Sequence, residues 1–202
     1  MVRIEKVHYK PVPVRSLLLE MKDLSELMID LAYSAALFHD QKLAEEVLEL
    51  EEHVDSLAYL LGMNAMLAAR DAKDAEALIG VSKVAAATDK ISDAAADLAM
   101  IVLRDVGIHP IIREAFRRVE ERLARVRVKS NSVLAGKKLK ELELASRIGV
   151  DIIAIKRRGR WIINPNGDDR IEADDVLIAR GAPSGVKSLK RLAWGAAQNL
   201  EG

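Results

Sequence analysis

The chain has 202 residues, half of them hydrophobic and 31% charged, with a formal net charge of zero. That length can bury one good core or two modest ones, so one or two domains are both open. With no cysteine, a disulfide framework, a thiolate zinc site and a cysteine nucleophile are excluded.

The zero total hides opposite charges along the chain. Residues 1–19 carry about +3, residues 20–105 about −11 and residues 106–202 about +8. The opening MVRIEKVHYK lacks the apolar core of a secretory signal, and charges interrupt every helical stretch well short of the roughly 20 apolar residues of a membrane span. The expectation is a cytoplasmic protein, peripheral at a membrane only through a partner.

Residues 1–15 read as an arm punctuated by Pro11 and Pro13. From Ser16, the apolar residues Leu17, Leu18, Met21, Leu24, Leu27, Met28, Leu31 and Ala35 recur at spacings of three and four, which predicts a helix to about Phe38–Asp40. A second run holds Leu43, Val47, Leu50, Val54, Leu57, Ala58 and Leu61 and continues towards Ala69. A third, from about Ala72 to Val106, is rich in alanine and includes Leu78, Ile79, Ala85, Ala86, Leu98, Ile101 and Val102. Short connections between long helices make antiparallel neighbours, so residues 16–106 are expected to form a three-helix unit.

Gly107 and Pro110 end that unit, and residues 107–124 are expected to be a basic helical linker. Arg125–Val128 alternates as a short strand. Gly136 opens a helix in which Leu139, Leu142 and Leu144 face inwards and Gly149 is the C-cap. The runs VDIIAIKRR, RWIINP and DDVLIARG predict three strands, and a helix from Pro183 to about Trp194 closes a small α+β domain over residues 125–202.

Signatures of catalysis are missing. There is no glycine-rich dinucleotide or phosphate loop, no nucleophile elbow and no paired metal-binding histidine; His8, His39, His53 and His109 are scattered. The reading is therefore non-enzymatic. The helical half does hold Glu51 and Asp55 at i, i+4 on its second helix, and Asp89, Asp93 and Asp97 at i, i+4, i+8 on its third. Like charges so spaced cost about 0.2–0.5 kcal/mol each. On facing helices such carboxylates suit a hard cation, Mg, Ca, Mn or iron. By spacing alone, a solvated acidic face with Lys90 and nearby arginine as countercharge is the favoured reading.

The stretches LELEEHVDSLAYL and VAAATDKISDAAADLAMIV resemble the paired acidic signatures of PhoU-like phosphate-uptake regulators. That resemblance covers one three-helix repeat, where the family usually has two, and implies metal binding by Glu51, Asp55, Asp89 and Asp93. Ala94 stands where a histidine is common. Residues 128–192 resemble the C-terminal domain of regulators of potassium conductance, the RCK or TrkA-C type. The resemblance rests on Ser132, Gly136-Lys137-Lys138-Leu139, Ile152-Ile153-Ala154-Ile155, Arg157-Arg158-Gly159, Asn164-Pro165, Asp175-Val176-Leu177 and Gly181. It implies dimerisation and a small anionic effector, cyclic di-AMP in several relatives, at the dimer seam. The NAD-binding domain that usually precedes it does not occur here, so no nicotinamide binding is implied.

The candidate ligand-binding residues are Ile152, Ile153, Arg158, Asn164 and Pro165, expected to converge in a tight hairpin on an apolar floor. Arg157 and Arg160 are expected to be ordinary strand charges, because alternation sends neighbours to opposite faces. With only seven aromatic residues in the chain, no base-stacking platform and no nucleic-acid partner are expected. The sequence thus predicts an antiparallel PhoU-like three-helix bundle followed by a small RCK-type α+β domain. The expected role is a homodimeric regulatory protein that senses a small anionic ligand and controls a membrane ion transporter or channel, potassium above other cations. The alternatives are a PhoU-type metal-binding scaffold of phosphate or other transport, and a dimerisation module without ligand.

Overall fold

The structure is a computed structural model that describes residues 7–104 and 122–197. The chain divides into two compact units, Met1–Ile108 and His109–Gly202.

The first unit is three helices, α1 (Val14–Phe38), α2 (Gln41–Ala68) and α3 (Ala72–Leu103), each packed on the other two. Helix α1 begins directly after Pro13, where a missing N–H costs nothing, and ends at His39 in the left-handed conformation. Asp40 then caps α2, its carboxylate accepting from the backbone N–H groups of Lys42 and Leu43, and Asp71 caps α3 by accepting from Asp74. These caps sit in connections of two or three residues, so the helices run antiparallel. Asn64 on α2 secures the incoming arm: it accepts from Val12 N–H and donates to the Lys10 and Leu60 carbonyls.

The core of this unit is Leu17, Met21, Leu24, Met28 and Leu31 of α1 against Leu43, Val47, Leu50, Val54 and Leu61 of α2. Helix α3 turns a row of small residues inwards, Ala85, Thr88, Ser92, Ala95 and Ala99, with Val102 beneath them. Of the apolar α3 residues marked in the sequence, Ala85 and Val102 are buried, Leu78 and Leu98 are half-buried, and Ile79, Ala86 and Ile101 are exposed. Apolar residues line more than one side of the helix, and the small face is the one that lets three backbones approach closely.

The second unit contains β1 (Arg122–Arg127), α4 (Leu139–Leu142), α5 (Leu144–Ile148), β2 (Val150–Arg157), β3 (Arg160–Ile163), β4 (Val176–Gly181) and α6 (Pro183–Ala193). Its sheet is antiparallel throughout, in the order β1-β4-β2-β3. One face of the sheet presents Ala124, Val126, Val150, Ile155, Leu177 and Ala179 to Leu142, Leu144, Val186, Leu189 and Leu192 of the helices.

Three sequence expectations are corrected here. The first strand starts at Arg122 rather than Arg125, so the last three residues of the expected linker belong to the sheet; residues 105–121 lie outside the described residues. The expected helix from Gly136 is two short helices, broken at Glu143 in the left-handed conformation, φ 47°. The break re-aims the chain so that Leu142 and Leu144, only two residues apart, both reach the core. Lastly, α1 begins at Val14, inside the expected arm. Gly149 is the left-handed C-cap of α5, as its place in the sequence predicts.

Candidate metal and ligand sites

Helices α2 and α3 carry the acidic residues to one place. One carboxylate oxygen from each of Glu51, Asp55 and Asp93 lies within 4.8 Å of the other two. Ligands on opposite sides of a bound calcium stand roughly 4.6–5.2 Å apart, so the three can share one ion. Glu51 and Asp55 are half-buried and Asp93 is exposed. Asp89, one turn before Asp93, is half-buried, and its Oδ1 is buried without a hydrogen-bond partner among the described residues. Burial first, and neighbouring negative charge second, pushes Glu51, Asp55 and Asp89 above the ordinary carboxylate range; Asp55 and Asp93 act on both Glu51 and Asp89. An orphaned carboxylate oxygen beside three convergent carboxylates is a hard-oxygen donor set lacking positive charge, and a divalent or trivalent cation fits it. Asp97, the third rung of the ladder, is exposed and outside the group.

The ligand residues of the second unit divide into two sets. A β-bulge interrupts the pairing of β2 with β4, so that Ile152 faces Ala179, Ala154 faces Ile178, and Ile153 has no opposite residue. The extra residue leaves both isoleucines half-buried. The β3 end lies beside them: Asn164, left-handed at φ 48°, donates its N–H to the Ile153 carbonyl at 2.9 Å, and Pro165 follows. The backbone thus ties Asn164 to Ile153, and Ile152 and Pro165 line one cleft.

Arg158 does not join them within one chain. It occupies the tip of the β2–β3 hairpin, exposed, with φ 50°, and Gly159 follows at φ 78°. Two positive-φ residues make the tight turn that a two-residue hairpin needs. That turn pairs Arg157 with Arg160 and Ala154 with Ile163, placing Arg158 five residues and about 17 Å along the strand from Ile153. The expectation that the hairpin folds Arg158 back onto Asn164 is corrected: the turn is at Arg158 itself.

Arg157 is structural. It donates to the Asp175 carboxylate at 2.9 and 2.7 Å and pairs with Glu172 at 3.0 Å. A cleft of about 360 Å³ also opens on Ile152 and Pro165; Leu139, Lys140, Glu143, Ser146 and Asp151 line it as well. These lining residues escape sequence reasoning because they depend on the left-handed break at Glu143, a residue type with no special preference for that conformation. The visible signal is the basic pair Lys138 and Lys140, which hold Asp168 at 3.0 and 2.6 Å on the cleft's rim.

Family models of two kinds match the chain: the PhoU domain over residues 18–102 and the TrkA-C domain over residues 123–193. The chain joins a PhoU domain to a TrkA-C domain. Among curated proteins, the Ktr system potassium uptake protein C of Bacillus subtilis (strain 168) is 32% identical over 66 residues. The match covers 33% of this chain and 30% of that protein, so it spans under a third of the relative. Among solved structures, the RCK_C domain dimer of S. agalactiae BusR in complex with c-di-AMP is 25% identical, with a TM-score of 0.34. It covers 36% of this chain and 90% of that one. The RCK C domain of the potassium transport protein KtrA, in complex with cyclic diadenosine monophosphate, is 24% identical with a TM-score of 0.34, covering 41% and 94%. No helix among the described residues is long and apolar enough to cross a membrane.

Proposed function

We propose that this protein is a regulatory subunit of a membrane cation transporter or channel, potassium being the ion. Its TrkA-C domain binds a dianionic effector of the cyclic di-AMP type at a two-fold seam between two copies. The observation that supports this reading is the hydrogen bond from Asn164 N–H to the Ile153 carbonyl, together with the cleft that Ile152 and Pro165 both line. That patch is an apolar floor with an adjacent amide, suited to a base. Edge strand β3 supplies the rest. A two-fold axis beside it runs the two hairpins in opposite directions, so the exposed Arg158 of one copy comes to the Asn164 end of the other. Two such Arg158 guanidinium groups meet two phosphates. The potassium assignment rests on the TrkA-C match and the Ktr relative. No catalytic step belongs to this reading.

Titration calorimetry of the full chain with cyclic di-AMP tests it. Loss of a charge-assisted contact costs about 1.5–3 kcal/mol, so Arg158→Ala weakens binding at least about tenfold. A wild-type protein that binds no cyclic dinucleotide, or an Arg158→Ala variant that binds as tightly as wild type, refutes the site.

A second reading has its own observation. The orphaned Asp89 Oδ1, together with Glu51, Asp55 and Asp93, supports metal binding by the PhoU domain, with Mg, Mn, Ca or iron as the ion. On this reading the chain is a metal-dependent regulator or scaffold of phosphate or other transport. Thermal shifts separate the two: stabilisation by cyclic di-AMP supports the first, and stabilisation by metal alone supports the second.

A further inference from the structure

Helix α3 carries a second apolar stripe, one residue and so about 100° round the helix from the stripe it turns into its own bundle. Ala77, Gly80, Val84, Ala87, Ile91, Ala94, Leu98 and Ile101 follow one another at alternating spacings of three and four, the period of a coiled-coil seam. Leu98 is half-buried and the other seven are exposed, including Val84 at 53%, Ile91 at 44% and Ile101 at 40%. The bundle's inner face, Ala85, Thr88, Ser92, Ala95, Ala99 and Val102, is a separate stripe. Over the roughly 36 Å from Ala77 to Ile101, this apolar face has no cover within the chain's described residues.

We propose that this face is an interface with a second copy of the chain, in which the two α3 helices pack antiparallel about an axis at the level of Asp89. The seam is self-complementary in size. In an antiparallel pair, each layer sets the first seam position of one heptad against the fourth of the other helix. About that axis Ala77 meets Ile101, Gly80 meets Leu98, Val84 meets Ala94, and Ala87 meets Ile91. Every layer joins one small and one large residue, which fills space evenly. A parallel pair stacks valine, isoleucine and leucine on themselves and leaves glycine and alanine facing one another, so its layers cannot share one helix separation.

Charge selects the same arrangement. The residues flanking the seam on its solvent side are Glu76, Lys83, Lys90, Asp97 and Arg104. In the antiparallel register Glu76 of one copy comes opposite Arg104 of the second, and Lys83 opposite Asp97. Each pair occurs twice by symmetry. Lys90 meets its own copy at the axis, a like-charge contact, and lies one turn from Asp93 on its own helix. In a parallel pair the same residues flank Val81, Thr88, Ala95 and Val102, which carry no charge. This surface is distinct from the TrkA-C seam proposed above, although both rest on a chain that self-associates.

The chain contains no cysteine, so introduced ones report cleanly. In the antiparallel register two copies of residue 90 adjoin, whereas two copies of residue 83 stand about 21 Å apart along the axis. A short bis-maleimide applied to the full chain is expected to cross-link Lys90→Cys and not Lys83→Cys. In the Lys90→Cys background, Lys83→Asp should slow cross-linking roughly tenfold through repulsion from Asp97, and adding Asp97→Lys should restore it. Circular dichroism of each variant confirms that the helices are intact. Cross-linking at both positions means a parallel pair and overturns the proposal, as does failure of the charge exchange to rescue. Light scattering that shows a dimer while Lys90→Cys stays uncross-linked overturns the α3 seam and leaves the TrkA-C seam standing. A monomer at all concentrations overturns both.

Discussion

The guanidinium of Arg157 lies in register with the carboxylate of Asp175, donating from Nε at 2.9 Å and from a terminal nitrogen at 2.7 Å. Asp175 is 1% exposed and also accepts from the Glu172 N–H, so this pair fastens β2 to the turn that enters β4. The hydrogen bond to Asp175 raises the affinity of Arg157 for its proton, so the guanidinium stays charged. Arg157→Ala leaves a buried carboxylate without its counterion and should destabilise the TrkA-C domain by about 3–5 kcal/mol. Removing both partners, in Arg157→Leu with Asp175→Asn, should recover much of that loss. Urea unfolding of the two variants decides it, and equal stability of Arg157→Ala and wild type refutes the role.

Two glycines separate backbone room from helix propensity. Gly185, in the first turn of α6, is buried, and a Cβ there would overlap the Ile148 carbonyl oxygen and crowd Val150. Gly185→Ala should push α6 away from the end of α5 and cost about 1–3 kcal/mol. Gly62, inside α2, has open space around its would-be Cβ. Gly62→Ala should therefore stabilise the PhoU domain by about 0.5–1 kcal/mol through helix propensity alone. Thermal unfolding of the two variants should move in opposite directions.

What could be read from the sequence tracks how local the cause is. The helices of the PhoU domain follow from a 3.6-residue apolar period, and the stop at Gly149 from a residue that takes positive φ without cost. The acidic pairs were legible because i, i+4 spacing puts two carboxylates on one face, whatever the helix packs against. The orphaned oxygen of Asp89 was not, since it depends on how deeply α3 sits. Nor was the inner face of α3: two apolar stripes run side by side along that helix, and their shared period does not say which of them the bundle takes. The Arg158-Gly159 turn was present in the sequence as a hairpin signal. It was the register, Ala154 against Ile163, that decided Arg158 could not return to Asn164. The bulge at Ile153 has no sequence mark, because its cause is the pairing of β4 alongside.

The acidic group on α2 and α3 should behave as a cation site and as a pH-dependent strain. The carboxyls of Glu51, Asp55 and Asp89 hold their protons more tightly in the folded chain than in the unfolded one, through burial first and neighbouring negative charge second. The folded state therefore binds more protons at pH values above the ordinary carboxylate range, near 4, and the group's contribution to stability falls as pH rises through the raised values. Below that range both states are protonated and the cost vanishes. In cation-free buffer at neutral pH, Asp89→Asn should unfold at a higher temperature than wild type, and the difference should shrink towards zero as the pH approaches 4. Adding Mg, Mn, Ca or iron should reverse the order, because wild type gains binding energy and Asp89→Asn has lost a ligand. Asp97→Asn, outside the group, should keep the wild-type response to cation. If Asp89→Asn and Asp97→Asn shift alike with cation and with pH, the carboxylates are a solvated acidic face and hold no ion.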